Sequence, residues 1–314
     1  MKKVFSTAFV TILLGMTFSG CLGNDLFSND ENSITITSPT WTKGDFWEYS
    51  TKASGLEIST TMVVSIDDDD TDYYIGTGSL EDAKRHAVLN HNPAIGRVQM
   101  SDFAIYEKNI PQTLLDFPLE KDKGWSFGLY DKEQFNAIVK DIDENIAHIV
   151  ATSSDGARLD YTFDIEARWL SNFTFIDSNG ETVLAMKLAN YGKGFTGNSY
   201  FCRGGDLYDE EFTGPDVSVY DTIFINEGHE RYGDWDYIIY FLDADIGSSG
   251  SGELVLKDHL ETDILVETLS PGTTMSEMGT VGGSSGNWTF EISLSGDADV
   301  RMRIAGAIQY TYAV

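Results

Sequence analysis

From Ile34 onward, apolar and polar positions alternate with a period of two, the spacing of strands that bury one face. Ile34-Thr35-Ile36-Thr37 alternates. Trp41 to Ser50 reads as a turn at Gly44-Asp45 feeding an aromatic strand with Phe46, Trp47 and Tyr49. Leu56–Ile66, Tyr73–Gly76, Ala87–Leu89, Arg97–Met100, Phe103–Tyr106, Leu114–Leu119, Gly124–Leu129, Phe135–Val139, Ala147–Thr152, Leu159–Ile165, Trp169–Ile176 and Val183–Leu188 continue the pattern. Acidic or glycine-bearing turns separate them, with Ser178-Asn179-Gly180 the strongest hairpin signal. Helical spacing is scarce and is confined to one or two turns at Glu81–Arg85 and Asp131–Asn136.

Between Arg203 and Asp216 the apolar positions thin out. Gly204, Gly205, Asp206, Asp209, Glu210, Glu211 and Gly214 leave little to bury, so residues 203–216 are expected to form an acidic, glycine-rich linker. Strands resume at Val217–Ile225 and Tyr237–Leu242. They continue at Leu254–Leu256, Ile264–Val266, Trp288–Leu294, Val300–Ile304 and Ile308–Tyr312, with a long polar loop over 272–286. The predicted fold class is all-β: a large curled antiparallel sheet, half-barrel or barrel-like, over residues 36–202, followed by a β-sandwich over 217–314. A two-sheet sandwich or a closed barrel is the competing arrangement for the first part.

The first twenty-one residues follow another rule. Lys2 and Lys3 precede an apolar run from Val4 to Phe18, too short for a membrane span but of signal-peptide length. Phe18-Ser19-Gly20-Cys21 closes it and resembles the lipobox of exported lipoproteins. That resemblance implies removal of residues 1–20, a lipid on Cys21 and a polar tether over 21–35. The chain is then extracytoplasmic and anchored to the cell membrane. By weaker likeness, the first domain is similar to the LolA/LppX half-barrel carriers. The strands from Gly286 to Ile304 are similar to jelly-roll accessory modules of secreted proteases.

Charge narrows the partners. Fifty acidic residues face twenty-one basic ones, and the net charge is −29. Loss of residues 1–20 removes two lysines and no acid. Such a surface repels nucleic acid. Cys202 is left as the second cysteine of two, so neither an intrachain disulfide in the mature chain nor a cysteine metal site is expected.

Candidate chemistry is sparse. Asp67, Asp68, Asp69, Asp70 and Asp72 form the densest acidic group and are the candidate calcium ligands, since calcium takes several hard oxygens. Asp243 with Asp245, and Asp297 with Asp299, are weaker options. No EF-hand spacing accompanies any of these groups, and no other cofactor is implied. His86, His91, His148, His229 and His259 show no HExxH spacing, and no G-x-S-x-G elbow occurs. Two sequons, Asn172-Phe173-Thr174 and Asn287-Trp288-Thr289, lie in predicted strands. The reading that follows is a non-catalytic, lipid-anchored binding or carrier protein. Its ligand is an apolar small molecule, a sugar or a surface protein. The alternatives are a surface interaction module and a secreted hydrolase with an unrecognised site.

Overall fold

In the computed structural model, residues 34–53, 56–66, 71–90 and 92–314 are described. Alternation of buried and exposed side chains governs nearly all of it. The N-terminal strands are β1 (Phe46–Ala53), β2 (Leu56–Ile66), β3 (Asp72–Thr77), β4 (Gly96–Gln99), β5 (Ile105–Glu107) and β6 (Ile110–Gln112). They continue as β7 (Gly124–Leu129), β8 (Lys132–Asp143), β9 (Ile146–Ser153), β10 (Arg158–Asp164), β11 (Trp169–Ile176) and β12 (Thr182–Gly192), with helix α1 (Leu80–Leu89) between β3 and β4. All pairings are antiparallel, and β1 closes the meander by lying between β2 and β12.

This sheet curls until its two ends meet. No ladder joins β6 to β7. Instead Trp125 Nε1 donates to Thr113 O at 2.8 Å, and Gly128 N donates to Gln112 Oε1 at 2.6 Å. The interior is filled by large side chains rather than left as a lumen. Trp41, Trp47, Trp169, Phe163 and Phe173 are each at most 2% exposed. Trp41 sits 4.7 Å from both Phe103 and Trp169, edge-on to each. The groove expected by likeness to the half-barrel carriers is therefore occupied by the core itself.

The C-terminal strands are β13 (Asn198–Thr213), β14 (Val217–Ile225), β15 (Gly228–His229), β16 (Gly233–Asp234), β17 (Tyr237–Ile246) and β18 (Ser251–Lys257). They end with β19 (Asp263–Leu269), β20 (Thr274–Gly282), β21 (Gly286–Ser295) and β22 (Ala298–Ala313). The layer β20-β17-β22-β13 packs on the layer β14-β21-β18-β19 around Trp288, Phe290, Leu256 and Met302, as a sandwich should. One register pair, Tyr200↔Thr77, joins β13 to β3 and so links the sandwich to the curled sheet.

Five local expectations change. Residues 203–213 are not linker but the second half of β13, paired with β22 as far as Thr213↔Asp299. Gly204 and Gly205 are there because the site is crowded. A Cβ on Gly204 would lie 2.4 Å from Ala87 O, and one on Gly205 2.7 Å from the Trp235 ring. Ala87–Leu89 is helix, not strand. Ser79 caps α1 by accepting from Asp82 N at 3.1 Å, Arg85 pairs with Asp82 and Glu81, and Ala83, Ala87 and Val88 are buried against the sheet. Asp131–Asn136 is not helical: Tyr130 and Asp131 (φ 52° and 59°) form a tight turn, and β8 begins at Lys132. The polar loop over 272–286 contains β20, an edge strand, where polar residues are ordinary. Leu114–Leu119 does not form a strand. Its leucines are buried in turns, and Leu119 makes a lone bridge to Ile36.

Candidate functional site

Where β3 and β13 part company, a cleft of about 330 Å³ opens. From Phe201 on, one edge of β13 pairs with β22 and the other with no strand among the described residues. Alternate residues there direct their N–H and C=O away from β22, toward the cleft. The cleft wraps this free edge. Cys202 and Gly204 face α1, while Arg203 and Gly205 face the segment that carries Tyr232 and Trp235. The wall opposite comes from the end of α1 (His86, Asn90), from Arg97 on β4 and from the β5–β6 hairpin (Tyr106, Lys108, Asn109).

Each wall is locally built. Asn90 ends α1 in the left-handed conformation, φ 43°, and its N–H closes on His86 O at 2.7 Å. Lys108 and Asn109, φ 48° and 65°, are the two turn residues between Glu107 and Ile110. A lysine with positive φ is uncommon, and here its ammonium pairs with Asp131 at the next hairpin tip. Arg97 lies 3.9 Å over the Tyr106 ring, and the Tyr106 hydroxyl accepts from Gln99 Nε2 at 3.0 Å. Arg203 lies 3.9 Å over the Tyr232 ring, which in turn packs 4.7 Å from the His229 ring. Arg231 N donates to His229 Nδ1 at 3.1 Å.

The electrostatics invert those of the chain as a whole. Arg97, Lys108 and Arg203 line the cleft with one carboxylate, Asp206. Arg97 is partly compensated by Asp72 at 3.5 Å. Burial pushes His86 down to about 4 and the Cys202 thiol up to about 12, so both are uncharged at neutral pH. Cys202 is thus neither a nucleophile nor a metal ligand in this state.

Of the candidate calcium ligands, Asp67 to Asp70 lie outside the described residues, as do Cys21 and His91. Asp72 starts β3 and faces Arg97. Asp243 and Asp245 on β17 share a shallow groove with Glu211, Asp299 and Arg301. Asp245 stands directly opposite Asp299, while Asp297 lies outside that groove's lining. Burial raises the Asp243 pKa, and Ser276 Oγ donates to it at 2.9 Å. Among the described residues no three His, Cys, Asp or Glu side chains are placed to hold a metal ion. Asn172 is half-buried on a central strand, and Asn287 is exposed opposite Phe224. The cleft residues Arg97, Lys108 and Arg203 were not singled out from the sequence. The signal that points to them is the scarcity of basic residues in so acidic a chain.

No family model and no curated protein matches the chain. Solved structures with some likeness include a glycoside hydrolase family 43 arabinoxylan arabinofuranohydrolase from Bacillus subtilis, in complex with cellotetraose. It is 11% identical over 79% of this chain and 66% of that one, with a TM-score of 0.18, so the chain spans just under two thirds of that enzyme's length. An exo-beta-1,3-galactanase from Phanerochaete chrysosporium with galactose is 10% identical over 82% of this chain and 68% of its own, TM-score 0.18. The Bacteroides ovatus mixed-linkage glucan utilization locus protein SGBP-B, with a mixed-linkage heptasaccharide, is 8% identical over 85% and 92%, TM-score 0.17. Two of these three are hydrolases, and the expectation that the chain is non-catalytic is withdrawn. At such TM-scores the likenesses carry no argument for a particular activity.

Proposed function

We propose that this protein is an exported binding protein, held to the cell membrane by a lipid on Cys21, that takes a sugar-sized polyhydroxylated ligand in the cleft along the free edge of β13. The observation that carries the reading is the make-up of that cleft. It places strand-edge N–H and C=O groups beside the Asn90, Asn109 and Asp206 side chains and the arginine-stacked ring of Tyr106. Hydroxyl-rich molecules need donors and acceptors close together with an apolar surface for their C–H faces, and ligand pockets supply a few fixed polar groups in this way. The volume, about 330 Å³, lies at the lower end of such sites and suits one or two sugar rings. An apolar ligand is disfavoured, because charged and amide side chains dominate the walls.

The test is a titration of the 15N-labelled protein with mono- and disaccharides, followed by amide shifts. Shifts confined to residues 86–97, 106–109 and 201–206, and weakened in Tyr106→Ala, support the cleft. Binding that shifts only other surfaces, or no binding across the panel, removes it. The anchor is tested separately by intact-mass analysis of protein from membranes. A lipid-modified N-terminal Cys21, with Cys21→Ser released to the medium, supports anchoring; an unmodified Cys21 does not.

A further inference from the structure

We infer that the ligand is anionic and that its oxyanion group sits on Arg203. This rests on the cleft reading above and names the chemical class that the cleft selects. Arg203 differs from the two other cations of the cleft. Arg97 faces Asp72 and Lys108 pairs with Asp131, whereas Arg203 has no carboxylate partner among the described residues. Its Nε is buried with no hydrogen-bond acceptor. In a chain of fifty acidic residues, a cleft-lining cation with no carboxylate partner stands out, and its buried N–H without an acceptor is costly.

The geometry holds that guanidinium ready. Tyr232 stacks on its face at 3.9 Å, and stacking of this kind leaves the in-plane terminal N–H groups of a guanidinium free to hydrogen-bond. A fixed fork matches a carboxylate, sulfate or phosphate through two parallel N–H···O bonds and loses little entropy on binding. The β13 backbone next to Arg203 is packed on both faces: Gly204 lets α1 approach one, and Gly205 lets Trp235 approach the other. The remaining groups suit the rest of a sugar acid. Asp206 and the α1 C-terminus accept from hydroxyls, and Asn90 and Asn109 both donate and accept. The negative surface beyond the cleft repels anions in general. It does not attract anions to the mouth, so selectivity arises from contact and not from steering.

The probes are glucose, glucuronate and inorganic sulfate, titrated into the wild type, Arg203→Gln and Arg203→Lys at low and high salt. The expected result is glucuronate binding about tenfold to a hundredfold tighter than glucose, the size of a charge-assisted hydrogen bond. Arg203→Gln should erase that difference, and Arg203→Lys should restore part of it. Sulfate competing with glucuronate locates a general oxyanion site at Arg203 and supports the inference. Glucuronate binding without sulfate competition, but lost in Arg203→Gln, supports it as carboxylate-specific. Equal binding of glucose and glucuronate in the wild type overturns the inference and leaves the cleft reading standing. Binding of none of the three at millimolar concentration overturns both. Unchanged thermal melting of each variant shows that the loss is local.

Discussion

Arg168 Nη1 donates to Asp45 Oδ2 at 2.7 Å across 123 positions of sequence, and the Asp45 side chain is fully buried. The pair fixes the turn before β1 against the loop between β10 and β11. That loop and the start of β11 are held by three further donors from β1 and the turn before it: Trp41 Nε1 to Arg168 O, Trp47 Nε1 to Ala167 O, and the Tyr49 hydroxyl to Leu170 O. Burial alone would raise the Asp45 pKa. The Arg168 ion pair and the Thr42 N–H outweigh burial and leave the carboxyl below its ordinary value. Removing one partner strands a buried charge, so Arg168→Met should cost about 3 kcal/mol at pH 7. Because the folded pKa is the lower one, this stabilisation is present above the ordinary carboxylate pKa and is lost as pH falls through the folded value. Urea melts at pH 7 and pH 3 check it. An Arg168→Met variant as stable as the wild type at pH 7 would show that the pair contributes nothing.

His86 imposes a second, separate acid sensitivity. It is 6% exposed on α1, and burial holds its pKa at about 4 against an ordinary 6.5. The unfolded chain therefore binds a proton that the folded one refuses. Stability is full above pH 6.5 and falls as pH drops from there to about 4, by roughly 3 kcal/mol in all. His86→Gln should flatten this part of the stability–pH curve and leave the Asp45 part, at lower pH, intact. Equal slopes for wild type and variant between pH 6.5 and pH 4 would refute the assignment.

The all-β class was legible because period-two alternation holds along almost every strand, from Trp47 and Tyr49 in β1 to Met302 and Ile304 in β22. The failures share a physical cause: the same residue type serves opposite ends. Gly204-Gly205 reads as flexibility in sequence, yet the missing Cβ atoms there admit α1 and Trp235. Ala87-Val88-Leu89 is a short apolar run that fits either element, and the Ser79 cap decides it. Met275 to Gly279 looks like loop because an edge strand needs no apolar face on its outer side. The cleft was not legible at all. Its walls come from five segments, near residues 86–90, 95–97, 106–109, 201–206 and 229, and the topology alone brings them together.

Crowding at Gly204 makes a direct prediction. A Cβ there overlaps backbone, Ala87 O at 2.4 Å, which no side-chain rotamer can relieve. Gly204→Ala should push α1 off β13 at a cost of about 1–3 kcal/mol. Gly180→Ala, where the added Cβ meets no atom within 4 Å, strains only a positive φ in an exposed turn and should cost less. Thermal melting ranks the two. Hydrogen exchange should show faster opening of residues 83–89 in Gly204→Ala alone. If Gly180→Ala proved the more damaging, the packing role of Gly204 would be wrong.

Cys202 lies beneath α1 with Ala83, Ala87 and Phe241, 1% exposed, and burial lifts its thiol to about 12. A thiol attacks disulfide reagents as its thiolate, which is scarce at pH 8 when the pKa is so high. In the Cys21→Ser chain, Cys202 is the remaining cysteine, so one reaction reports on one site. Its reaction with an aromatic disulfide reagent should be at least a hundredfold slower in the native protein than in urea, by access and ionisation together. Gly204→Ala, which loosens α1, should speed the native reaction without changing the rate in urea. Reaction of the native wild type at the unfolded rate would mean that α1 does not cover this face of β13.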